Sequence, residues 1–192
     1  MKISYPAYLL SCLLCAALLT GCTGRGPAEN APDDTAASSA PDESGAAASS
    51  VTFEARTLDG GSVSSELFAD SKLTMLNVWA TYCNPCLNEM PGLGELAGAY
   101  ASEDFQLIGI ISDVSEDADE AVLQYASDLV EETGAGYPHL LLNESLYTAL
   151  LTEVSAVPTT FFVDQDGQVL DTVVGAMERS AWEEKINALL EP

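Results

Sequence analysis

The chain has 192 residues, 47% of them apolar, which is enough for one domain with a proper core and little besides. Its 30 acidic residues against 6 basic ones leave a formal net charge of −24, with every acid after Cys22. No basic patch is available for phosphates, which excludes nucleic acid as a partner; the acidity reads as solubility and surface repulsion.

The N-terminus is patterned for export. Lys2 is a thin positive region, and Ala7 to Leu19 is almost wholly apolar. That length suits a signal segment and is too short to span a bilayer. Leu19-Thr20-Gly21-Cys22 follows directly and resembles the lipobox of bacterial lipoproteins. The resemblance implies cleavage before Cys22 and a lipid on its sulfur. The alternative is an ordinary secretory signal ending in small residues. Cys12 and Cys15 fall inside the apolar segment and read as filler lost on cleavage. Thr23 to Ser50 is rich in Ala, Ser, Pro, Gly and acids, with no aromatic or branched aliphatic residue. It cannot bury apolar surface and reads as a disordered tether. The expected organisation is a leader over 1–21, a lipidated cysteine and tether over 22–50, and one domain over 51–192.

Val51 to Thr57, Asp59-Gly60-Gly61 and Ser62-Val63 predict a β-hairpin. Leu73 to Ala80 predicts a buried strand, and Leu87 to Tyr100 a helix that Pro91 should kink or break. Phe105 to Ser112 is an apolar strand of the parallel-sheet type. Asp117 to Glu132 has helical spacing and ends at Gly134 and Gly136. His139 to Leu142 predicts a short strand, and Leu146 to Leu151 a short helix. Thr159 to Val163 and Gln168 to Val174 predict a second hairpin, and Ala181 to Leu190 a closing amphipathic helix. The order implies a mixed sheet covered on both faces, an α/β sandwich.

The segment Trp79-Ala80-Thr81-Tyr82-Cys83-Asn84-Pro85-Cys86 concentrates the chemistry. Residues three apart on a helical turn have Cβ atoms about 5–6 Å apart, and modest adjustment gives disulfide range. Cys83 would sit at a helix N-terminus, where free N–H groups and the helix dipole favour a thiolate. Such surroundings lower a thiol pKa from about 8.5 toward about 7 or below. By itself the pair is a reversible dithiol suited to reduction, oxidation or isomerisation.

This octapeptide, Glu89-Met90-Pro91 and Val157-Pro158-Thr159-Thr160 together resemble the TlpA/ResA group of membrane-anchored thioredoxin-like proteins, over roughly Val51 to Leu190. The resemblance implies a thioredoxin-like fold with an N-terminal hairpin and an insertion between Ser112 and Val157. It implies that Cys83 attacks a partner disulfide and Cys86 resolves the mixed disulfide, since one cysteine alone would stay trapped. It implies a cis bond before Pro158, beside the cysteines, leaving the backbone of Val157 free to pair with an extended client. Trp79 and Tyr82 join Val157 as residues expected to contact the client, with Trp79 weighted toward packing. Glu89 is expected near the thiols, coupled to their titration, because Asn77 replaces the buried aspartate of plain thioredoxins. Electrons would come from a membrane thiol carrier of the CcdA or DsbD type. They would pass to disulfide-containing clients such as apocytochrome c or a secreted reductase. No cofactor or metal is implied. The expected protein is a monomer, held by lipid at Cys22 on the outer face of the cell membrane.

Tyr82, Asn84 and Leu87 depart from the commonest residues of the group, which leaves the reduction potential open. Two other functions compete with this one. A peroxiredoxin-like peroxidase would carry P-x-x-x-T-x-x-C, but Ala80 stands in the threonine's place. A non-catalytic lipoprotein binding zinc would need two further ligands, and His139, the only histidine, reads as structural or surface.

Overall fold

The computed structural model describes residues 50–191. The leader, Cys22 and the tether up to residue 49 lie outside the described residues. The N-terminal hairpin pairs Glu54–Arg56 (β1) with Ser62–Ser64 (β2), antiparallel, with Ala55 opposite Val63. Its ladder is shorter than the sequence predicts. Val51 and Phe53 instead turn into the core, and Val51 donates its N–H to the Gly167 carbonyl at 2.8 Å. A lone two-stranded hairpin is marginal in water, so docking must hold this one. Phe53 packs edge-on against Phe68, ring centroids 6.0 Å apart, and both are buried. Each such burial is worth about 1.5–3 kcal/mol.

Five further strands form the central sheet: Leu73–Trp79 (β3), Phe105–Ser115 (β4), His139–Leu142 (β5), Thr159–Asp164 (β6) and Val169–Val174 (β7). Their order is β5-β4-β3-β6-β7, with β4 parallel to both β3 and β5, and β6 antiparallel to both β3 and β7. β3 lies at the centre and every one of its residues is buried, which explains its continuous apolar run. Successive residues face opposite sides. Leu73, Met75 and Trp79 pack with three helices: Asn84–Ala97 (α1), Glu120–Thr133 (α2) and, later in the chain, Arg179–Leu190. Leu76 and Val78 face the hairpin and the short helix Glu144–Leu150 (α3). The helix Arg179–Leu190 is α4. Both faces of the mixed sheet are therefore covered, as expected.

The helix ends follow local chemistry. Gly134 caps α2 at φ +66°, sending its N–H to the carbonyls of Val130 and Glu131. Asn143 caps α3 by accepting the Leu146 N–H at 2.8 Å. Of the kink or break expected at Pro91, the break does not occur: α1 runs through it to Ala97. Cys86, Glu89 and Met90 before the proline, and Leu93 and Leu96 after it, are all buried on one face. That packing holds both halves on the sheet, while Pro91 itself is exposed. The position matters because α1 starts at the C-terminal end of β3 and so carries both cysteines.

Candidate active site

Cys83 is the N-cap of α1, followed by Asn84 and Pro85 in the first turn. A proline fits there because its missing N–H would have had no helical partner. The Cys86 N–H points at Cys83 Sγ at 3.3 Å, and the Cys83 N–H donates to the Ala80 carbonyl at 3.0 Å. The two cysteines form a disulfide with Cα atoms 5.3 Å apart. Cys83 retains 6% exposure and Cys86 none, so an incoming group reaches Cys83 first. Asp113 of β4 fixes the loop before them, accepting from the Thr81 N–H at 3.0 Å and the Thr81 hydroxyl at 2.6 Å.

The structure brings Val157 to the dithiol. The Val157–Pro158 peptide is cis, as expected, and the Val157 carbonyl oxygen lies 3.6 Å from Cys83 Sγ. Beside them is a groove of about 250 Å³ lined by Tyr82, Val157, Ser112, Val154 and Tyr147 among others. Tyr82 is 74% exposed, at the groove's edge. Tyr147 on α3 is also largely exposed, and no local sequence pattern marks it as part of a site.

Glu89 sits one turn after Cys86 on the buried face of α1. Its carboxylate accepts three N–H bonds, each at 3.1 Å. Asn77 Nδ2 reaches Oε1; the Met177 backbone N–H and Trp182 Nε1 reach Oε2. Burial pushes its pKa above the ordinary carboxylate value, opposed by the bonds from Met177, Asn77 and Trp182. Glu89 is thus a buried acid on the helix that starts at the dithiol. Trp182 reads from sequence as one apolar residue of an amphipathic face. The signal that could have flagged it is general: a buried indole N–H seeks a partner.

Trp79 is fully buried and packs beneath the site, so it offers no surface to a client. This corrects its place among the client-contacting residues. Its indole N–H donates to His139 Nδ1 at 3.1 Å, and the rings meet edge-on with centroids 5.6 Å apart. His139 is buried rather than exposed, and its pKa falls to about 4 through desolvation. Thr160, Asn77, Gly109 and His139 lie level across β6, β3, β4 and β5. A Cβ on Gly109 would meet His139 Nδ1 at 2.1 Å, so glycine there makes room for the imidazole. Among the described residues no three His, Cys, Asp or Glu side chains gather as metal ligands. Cys22 lies outside the described residues.

A family model described as the AhpC/TSA family matches residues 45–172. The chain is 30% identical over 135 residues to the thioredoxin-like protein YneN of Bacillus subtilis, covering 70% of this chain and 75% of that protein. It is 29% identical over 112 residues to the thiol-disulfide oxidoreductase ResA of Bacillus anthracis, covering 58% of this chain and 60% of that protein. Among solved structures it resembles a thioredoxin-family thiol:disulfide interchange protein from Chlorobium tepidum, with TM-score 0.61 and 25% identity over 73% of this chain and 94% of that one. It also resembles the exposed lipoprotein thioredoxin of Streptococcus pneumoniae, with TM-score 0.59 and 25% identity over 71% of this chain and 98% of that one. The fold is thus the thioredoxin-like one that the sequence motifs imply.

Proposed function

We propose that this chain, which belongs to the AhpC/TSA family and is a thiol–disulfide oxidoreductase of the thioredoxin fold, works outside the cytoplasm as a reductant of protein disulfides. The observation that carries the reading is the Cys83–Cys86 disulfide at the start of α1, with only Cys83 open to a partner.

In the reduced protein the Cys83 thiolate attacks a client disulfide. A mixed disulfide forms and one client thiolate leaves. Cys86 then gives its proton to Glu89, and its thiolate attacks Cys83 Sγ. The second client thiolate leaves, the client has gained two electrons, and the dithiol has become the disulfide. Glu89 suits the proton step because it is buried one helical turn from Cys86 and burial raises its pKa above the ordinary carboxylate value. The Val157 carbonyl, 3.6 Å from Cys83 Sγ, supports backbone pairing with an extended client, and the groove edged by Tyr82 supports a side-chain contact.

The leader, lipid at Cys22 and tether complete the proposal on sequence grounds, placing the domain at the outer face of the membrane. No described helix is long and apolar enough to cross a membrane. A membrane thiol carrier of the CcdA or DsbD type would then return electrons to the pair. The clients would be apocytochrome c or a secreted reductase. Reduction of insulin disulfides by dithiothreitol tests the activity. The protein accelerates it, Cys83→Ser abolishes the acceleration, and an active Cys83→Ser variant would refute the nucleophile assignment.

A further inference from the structure

We infer that Asn77 and Trp182 are positioning residues that hold the Glu89 carboxylate ionised against its own burial, and so set the proton affinity of the acid beside the dithiol. All three hydrogen-bond partners of the carboxylate are N–H donors: Asn77 Nδ2, the Met177 backbone and Trp182 Nε1. A carboxylate uses only donors, whereas a carboxylic acid also needs an acceptor for its own proton. The donor set matches the anion. Two of the three donors are side chains, and they come from β3 and from α4, on either side of α1 in sequence.

The Asn77 amide is committed to this arrangement. Its Nδ2 serves both Glu89 Oε1 at 3.1 Å and Thr160 Oγ1 at 3.0 Å. Its Oδ1 is buried with no hydrogen-bond partner among the described residues. Leaving a buried acceptor unpaired is costly. Turning the amide over would cost more while Glu89 is ionised, because Oδ1 would then face the carboxylate oxygen. Trp182 is equally fixed. It is fully buried and packs on Phe162, ring centroids 6.1 Å apart, with its N–H aimed at Oε2.

Among the described residues no cation pairs with Glu89. Titratable groups near Glu89 include Cys86, one turn earlier on α1, and Tyr137 ahead of β5, whose hydroxyl is pushed above the phenol range first by burial and then by Glu89. Arg179 opens α4, but its guanidinium is engaged by Glu95 and Glu183. The anion is held by N–H dipoles, and two of those dipoles can be removed by substitution.

The inference rests on the proposed function only for the source of the proton, so its test avoids the thiols. In the oxidised protein the cysteines do not titrate. The side-chain carboxyl carbon resonance of Glu89, followed against pH, then reports Glu89 alone. Trp182→Phe keeps an aromatic ring and removes the N–H. Asn77→Leu keeps the size and removes the amide. Each raises the Glu89 midpoint by about one pH unit, about tenfold in proton affinity. Ile186→Val loosens α4 without touching the carboxylate and leaves the midpoint in place. If Asn77→Leu does not fold, Trp182→Phe decides alone. A midpoint that does not move while stability falls would overturn the inference. A midpoint that moves without shifting the pH profile of client reduction would instead refute the proton role of Glu89, leaving the clamp standing.

Discussion

Trp79 and His139, 60 positions apart in sequence, are joined by one hydrogen bond in which the indole Nε1–H donates to the imidazole Nδ1 at 3.1 Å. His139 Nε2 lies 3.0 Å from the Ala135 carbonyl, so this nitrogen carries the proton and the ring is neutral. The tryptophan under the dithiol is therefore anchored by a histidine that cannot be charged without losing its acceptor.

That bond predicts acid sensitivity. The folded pKa of His139 is depressed to about 4 from its ordinary 6.5, mainly by desolvation. The unfolded chain therefore binds more protons between those values. Stability from this group is fully present above about pH 6.5 and is lost as pH falls toward about 4, by up to roughly 3 kcal/mol. Urea unfolding across this range measures it. The same curves for His139→Gln lack this component, and an identical pH slope in both proteins would contradict the assignment.

Gly109 should be intolerant of even one methyl group. A Cβ there would lie 2.1 Å from His139 Nδ1, so Gly109→Ala destabilises the fold by about 1–3 kcal/mol. In a double-mutant cycle with His139→Ala the penalty largely disappears, because the obstructing ring is gone. Additive effects would show that the clash is relieved some other way.

Glu89 has the opposite pH signature. Its folded pKa is raised by burial above its unfolded value near 4.5. Its contribution to stability is fully present below that unfolded value and is lost as pH rises through the folded pKa. The stability difference between Glu89→Gln and the parent is thus flat in acid and shifts in favour of the variant as pH rises. A difference that stays constant from acid to neutral pH would show that Glu89 does not titrate anomalously. Client reduction by the same variant falls by about a hundredfold, the lower range for a lost proton-transfer group.

The reduction potential should mark a reductant. Strong oxidases owe their potential, about −120 mV, to a stabilised thiolate in the reduced form. Here an acid lies one helical turn from Cys86, and Leu87 directly after the cysteine brings no cation. Both disfavour the thiolate and so favour the disulfide. Equilibration with glutathione or dithiothreitol should place the pair well below that value. A potential near it would assign the pair to oxidation.

The sequence made some of this legible and not the rest, for physical reasons. The cysteine spacing, the apolar run of β3 and the glycine that ends α2 are local signals, and each reappears in the structure. Pro91 is a local signal that does not end the helix, because five buried residues hold α1 on both sides of it. Trp182 reaches Glu89 across 93 positions, and Tyr147 reaches the groove from a helix beyond β5. Contacts of that range depend on strand order, which no local pattern encodes. His139 could be read only with Gly109, whose missing side chain makes its burial possible.

The claim that Cys83 exchanges with client disulfides, with Cys86 resolving them, is tested most directly by trapping. Cys86→Ser should accumulate a mixed disulfide with a client, bonded through Cys83 and released by dithiothreitol. Mass spectrometry of the adduct identifies both the site and the client. Recovery of the same adducts from Cys83→Ser, or of none from Cys86→Ser while the parent protein reduces insulin, would contradict the account.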